Sequence, residues 1–245
     1  MFRKQSIILP IILLFILPVF ATDPKFKIQN FSVDEGMAQR TVSHLLQDKS
    51  GFVWFATWSG LSRYDGYSFV NYKKSANNPY VPENNRINII KENSEGNIWC
   101  WTNDKRAYLF DIGTKNYINI LEPIEQKTNQ RYKVKEIFPL SKGVSWVVCE
   151  QDICFRVVDS TLDIAIHSAI NKDFKGSIIH SIFEDVDGNE WILTDGGITV
   201  IGNKNIDSKI PFSIYGKQGD KMFLSTKNGV MAVYKDKKLK HLSPP

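Results

Sequence analysis

The stretch HLLQDKSGFVWFAT, residues 44–57, sets a glycine three positions ahead of a tryptophan, and the chain repeats that arrangement. IIKENSEGNIWCWT (89–102), EIFPLSKGVSWVVC (136–149) and SIFEDVDGNEWILT (181–194) carry the same pair, so Gly51, Gly96, Gly143 and Gly188 precede Trp54, Trp99, Trp146 and Trp191. The tryptophans are spaced by 45, 47 and 45 residues. YGKQGDKMFLST (215–226) reads as a weaker fifth copy, with Phe223 at the tryptophan's place. The register extends upstream: Val42, Ile87, Val134 and Ile179 stand nine residues before the glycines, and Leu45, Ile90, Ile137 and Ile182 stand six before. Such self-similarity at a fixed period marks a repeat architecture.

Each copy reads as short strands. An apolar strand is followed by a turn at Lys49-Ser50-Gly51, a strand through Trp54, a second turn at Trp58-Ser59-Gly60, and then Leu61 to Tyr64 and Tyr67 to Tyr72. β-branched and aromatic residues alternate with polar ones between Gly, Asn and Asp punctuation, and no helix is expected after the leader. Four strands in about 45 residues is the size of one β-propeller blade. The expected fold is therefore all-β, a β-propeller forming an incomplete arc of four to five blades, with units near 32–77, 78–122, 132–177, 178–205 and 206–245. A tryptophan recurring once per blade belongs between neighbouring sheets, where its ring buries a large area.

The first 21 residues have the form of a secretory signal: Arg3 and Lys4, an apolar run from Ile7 to Phe20, and a small residue, Ala21. That run makes about 21 Å of helix, short of the roughly 30 Å hydrocarbon core, although an uncleaved anchor is the competing reading. Nothing after residue 21 has the length of a membrane span. The formal charge of +5 falls to +3 without Arg3 and Lys4, and the cluster Lys235, Lys237, Lys238 and Lys240 reads as a solvated edge, not a nucleic-acid surface. Cys149 and Cys154 flank four residues, so a tight hairpin would set them opposite each other as a disulfide; buried free thiols are the alternative. No Cys or His pair has zinc-ligand spacing. DVDGNE (185–190) mimics a calcium loop but has Glu190 where glycine is needed, so it reads as a hairpin turn. No metal or cofactor is expected.

The pattern DxxGxxWxxT, and FSVDEGMAQRTVSHLLQDKSGFVWFATWSGLSRYDGYSFVNYK (31–73) around its first copy, resemble the two-component regulator propeller repeats in the sensor region of hybrid two-component regulators. The third copy departs from the pattern, lacking both its Asp and its Thr. The resemblance implies a periplasmic ligand-sensing propeller, with oligosaccharides as ligands and further domains, including a histidine kinase, in the full-length family. No kinase motif is present in these 245 residues. An N-terminal fragment of a longer sensor is expected. A small closed five-bladed propeller, with Phe26 to Phe31 as its closing strand, is the alternative.

Recognition is expected on the face that carries the turns after each tryptophan strand and the polar connections SANNPYVPENNR (75–86) and EPIEQKTNQR (122–131). Trp58 is the first candidate for stacking on a sugar, with packing over the blade edge as its alternative role, and Arg63 and Trp101 follow. The partners expected are an oligosaccharide or other small ligand, a second copy of the chain and a downstream kinase region. The leading function is a non-catalytic sensor module. A carbohydrate-active lyase or glycosidase on a propeller scaffold and a protein-binding scaffold are the alternatives. Neither a G-x-S-x-G nucleophile nor a recurrent His pattern supports the enzyme.

Overall fold

The computed structural model describes residues 28–73, 82, 84–150, 153–166, 178–202, 210, 212–226, 228, 229 and 231–242. Residues 1–21, read from the sequence as a secretory signal, most of the connection at 75–86, and Gln151 and Asp152 of the third upper turn lie outside them. Ser32–Pro245 forms one compact unit. Ile28 to Phe31, in the segment expected to supply a closing strand, has no regular secondary structure.

The first sheet is β1 (Val42–Gln47), β2 (Val53–Thr57), β3 (Gly60–Tyr64) and β4 (Phe69–Tyr72). The second is β5 (Ile87–Glu92), β6 (Ile98–Thr102), β7 (Ala107–Asp111) and β8 (Asn116–Asn119). The third is β9 (Val134–Pro139), β10 (Val144–Cys149), β11 (Cys154–Val158) and β12 (Asp163–Ile166). The fourth, among the described residues, is β13 (Ile179–Glu184), β14 (Glu190–Thr194) and β15 (Gly197–Ile201). The fifth is β16 (Ile214–Gln218), β17 (Lys221–Ser225), β18 (Met231–Lys235) and β19 (Lys238–His241). Every sheet is an antiparallel meander in chain order. Neighbouring sheets meet through their first strands: Ser43 Oγ donates to the Ile87 carbonyl at 2.9 Å, and Lys91 Nζ donates to Glu136 Oε1 and the Ile137 carbonyl, both at 2.8 Å.

The repeat motif has a complete hydrogen-bonding account. Asp48 Oδ1 accepts the Ser50 and Phe52 amides at 2.9 and 3.0 Å, while its Oδ2 accepts the Trp54 indole N–H at 2.7 Å. Asp185 does the same for Asp187, Asn189 and Trp191. The glycine between them, at φ of 69° to 90° in the four copies, occupies a conformation that a side chain would strain. At the far end of the strand, the Thr57 and Thr194 hydroxyls donate to the carbonyls of Gly60 and Gly197 and close the upper turn. In the second and third copies the indole reaches into the next sheet instead. Trp99 donates to Ser145 Oγ at 2.8 Å, because the Asn93 carboxamide oxygen is spent on the Glu95 and Asn97 amides, and Trp146 donates to Glu190 Oε2 at 2.7 Å.

Four cores lie in the four seams between successive sheets. Trp54 packs with Ile87, Ile90 and Phe110; Trp99 with Val134, Ile137 and Phe155; Trp146 with Ile182 and Ile192; Trp191 with Met222, Leu224 and Tyr234. All four rings are fully buried, each stabilising its seam by a few kcal/mol of apolar transfer. In the fifth sheet Met222 and Leu224 face back into the seam with Trp191, as Ile192 faces back into the third seam, so Phe223, between them on β17, stands on the face that the tryptophans occupy in the earlier sheets. The outer face of the first sheet is covered by the segment from Ser32 to Ala38: the Ala38 amide donates to Ser62 Oγ at 3.0 Å, Asn71 Nδ2 donates to the Gly36 carbonyl at 2.8 Å, and Met37 is buried.

One expectation is corrected and one open pair of alternatives is decided. Residues Glu122–Thr128, expected as polar loop, form a short helix, α1. Pro123 starts it, Asn129 ends it in the left-handed region, Ile124 is its buried contact, and Glu125 takes the Arg106 guanidinium bidentately at 2.5 and 2.6 Å. Periodicity could not show this helix, because it is two turns long and held by that ion pair. Cys149 and Cys154 are free thiols. Cys154 stands opposite Val148, not Cys149, so the two thiols point to opposite faces of their sheet and lie in different seams.

Candidate functional site

The upper ends of the sheets are built alike. In each of four sheets the residue after the second strand donates its amide to the residue just before the first strand: Trp58 to Thr41 at 3.3 Å, Asn103 to Arg86 at 2.9 Å, Glu150 to Lys133 at 2.8 Å and Asp195 to Ile178 at 3.2 Å. Adjacent sheets are stitched at the same level, Gly60 N–H to the Asn85 carbonyl at 2.9 Å and Val134 N–H to the Lys105 carbonyl at 2.8 Å. Gly60 has φ of 100°, and a Cβ there would sit 2.4 Å from the Tyr72 carbonyl oxygen. The turn that carries Trp58 is therefore fixed by its backbone.

Trp58 stands on this rim 46% exposed. The Arg86 guanidinium of the second sheet lies over its ring, 4.7 Å from the centroid, across the first seam. Across the second seam Lys105 Nζ is paired with Glu150 Oε1. The hydrogen bond from Lys105, with the charges of Lys105, Lys133 and Lys135, holds the Glu150 carboxyl below the usual carboxylate range. An exposed indole beside fixed cationic side chains can stack on a ring and hydrogen-bond its substituents.

No family model matches the chain, and no curated protein matches it. Solved structures do. The β-propeller domain of Cps50 (Swd1) from Myceliophteria thermophila is 10% identical, with 84% of this chain and 72% of that chain covered and a TM-score of 0.51. The C-terminal WD40 domain of Sif2 is 11% identical, with 81% and 56% covered and a TM-score of 0.51. The fold is a β-propeller. The chain is also similar, at 17% identity and a TM-score of 0.44, to a B. thetaiotaomicron chain described as the extracellular domain of the hybrid two component system BT3049, over 89% of its own length. It spans about a third, 36%, of the length of that chain.

Within the propeller the three residues singled out as ligand contacts do not converge. Trp58 is on the rim. Arg63 pairs with Trp54 in the strand register, about 13 Å down the blade at 3.3 Å per residue, and its guanidinium lies over Phe52 at 4.4 Å and Trp54 at 5.8 Å. It packs the lower end of the first blade. Trp101 is only 6% exposed and fills the seam between the second and third blades, with Lys91 Nζ 5.6 Å from its ring. Its alternation with Trp99 on β6 put it in the seam, a placement the two-residue period of a strand already implied. Arg86 was missed. Its signal in the sequence is its position, one residue ahead of the strand that begins at Ile87, equivalent to Thr41, Lys133 and Ile178.

Proposed function

We propose that this propeller is a non-catalytic, extracytoplasmic ligand-sensing module of a two-component signalling protein, and that it takes an oligosaccharide at the rim around Trp58. The observation that carries the site is the single exposed tryptophan on a backbone-fixed turn, while the other five, Trp54, Trp99, Trp101, Trp146 and Trp191, are buried. The resemblance of the DxxGxxWxxT repeats to two-component regulator propellers supports the sensing role, and the leader at 1–21 supports export. Trp58, Arg86, Lys105 and Glu150 straddle two seams, so a ligand bound there touches three blades at once. Occupancy then favours one arrangement of the blades over another, and a kinase region reads the shift.

Isothermal titration of an oligosaccharide panel against the wild type and Trp58→Ala tests the site. The expected result is binding without turnover by the wild type, weakened about tenfold or more by the substitution, since an aromatic contact contributes one to a few kcal/mol. Equal affinity for the variant, or release of shortened products, would refute the assignment.

A further inference from the structure

Arg86 lies in the connection at 75–86 but was not singled out from the sequence, and its surroundings define the ligand more narrowly. Its backbone is held on both sides, the amide by Asn84 Oδ1 at 2.9 Å and the carbonyl by the Asn103 amide at 2.9 Å. Its side chain is exposed and lies over Trp58, and no carboxylate pairs with it among the described residues. The next seam adds Lys105, Lys133 and Lys135, all exposed, against Glu150 and Asp104. Asp104 is engaged by the Thr102 hydroxyl and Glu150 by Lys105. Among the described residues, these four cationic groups stand against two acids at the rim of the first three blades.

We infer that the saccharide taken at this rim is anionic, bearing carboxylate or sulfate groups, with the Trp58 indole stacked on a pyranose ring and the Arg86 guanidinium paired to an acidic substituent of the same chain. The inference rests on the proposed glycan site at Trp58. A guanidinium is a planar fork whose donors match carboxylate and sulfate oxygens bidentately, and its stacking on the indole holds it in place before the ligand arrives. A neutral glycan would use the ring and leave the fork to water. The lysines of the second seam extend the positive field along the path of a longer chain, which steers and holds an acidic polymer in a salt-dependent way.

The test compares an oligogalacturonide, a chondroitin sulfate oligosaccharide and a neutral xylo-oligosaccharide of equal length, titrated into the wild type, Arg86→Gln and Trp58→Ala at low and high salt. At least one acidic ligand is expected to bind about tenfold more tightly than the neutral one at low salt, with the advantage shrinking at high salt and lost in Arg86→Gln. Whichever acidic ligand leads identifies the substituent. Equal or tighter binding of the neutral ligand overturns the inference and leaves the glycan site standing, as does an acidic preference that survives Arg86→Gln. Absence of binding by all three ligands overturns the site and the inference together.

Discussion

The indole N–H of Trp146 in the third blade donates to Glu190 Oε2 in the fourth at 2.7 Å, and the same carboxylate takes Arg156 at 2.7 and 3.0 Å. Glu190 thus satisfies a buried ring and a mostly buried guanidinium at once. Glu190→Ala is expected to lower stability by about 3–5 kcal/mol, because it strands both donors inside the seam. Glu190→Gln retains an acceptor for the indole and is expected to cost less. Urea denaturation of the three proteins gives the order wild type, Gln, Ala.

The turn carboxylates predict a second ordering. Asp48→Asn keeps an oxygen for the Ser50 and Phe52 amides, as Asn93 does in the second blade, but withdraws the acceptor of the Trp54 indole. A loss of about 1 kcal/mol is expected for Asp48→Asn and about 2–3 for Asp48→Ala, where the turn amides lose their partner as well. Equal losses in denaturant melts would show that the indole bond contributes nothing.

Asp159 predicts an unusual pH profile. Burial in the seam between the second and third blades, reinforced by Glu95 and only partly offset by Ser145 and Asn93, pushes its carboxyl up to about 6. The folded protein therefore binds this proton more tightly than the unfolded chain, whose carboxyl titrates near the ordinary 3.8. The group costs nothing below the unfolded value, and its cost grows as pH rises to about 6, reaching on the order of 3 kcal/mol above that. Asp159→Asn removes this term. The variant is expected to gain on the wild type as pH rises from 4 to 7.5 in thermal melts, and a constant difference across that range would contradict the assignment.

Cys149 and Cys154, for which a bridge and buried free thiols were both open, lie back to back, one in each seam beside their sheet. Burial pushes the Cys149 thiol up to about 12 and raises that of Cys100 well above its ordinary value, so neither is reactive in the folded protein. Maleimide labelling is expected to reach all three cysteines in denaturant without reductant, and none at a comparable rate in native buffer. Reductant should leave the melting temperature unchanged. A mass two protons below the reduced chain would show a bridge.

The fold was legible because glycine, tryptophan and the turn Asp recur with the blade, and each has a fixed task in hydrogen bonding or seam packing. Legibility failed where the task moved. Leu140 and Cys149 replace the Asp and Thr of the third copy, and the Ser141 amide turns to Glu184 of the next blade at 3.0 Å, a partner 43 positions away that no local pattern shows. Helix α1 depends on Arg106, 19 positions from its partner Glu125. At the site, Trp58 stood out because it breaks the repeat. Arg86 did not, since its stacking on Trp58 arises only when two blades come together, and Trp101 and Arg63 lie away from the rim because strand face, which residue type does not show, sets their direction.

Iodide quenching of tryptophan fluorescence tests the rim most directly, since Trp58 alone among six tryptophans is open to solvent. The wild type should show a small quenchable fraction that vanishes in Trp58→Phe and is protected by a saturating acidic oligosaccharide. Quenching that persists in Trp58→Phe, or that a bound saccharide leaves untouched, would contradict a ligand site at this residue.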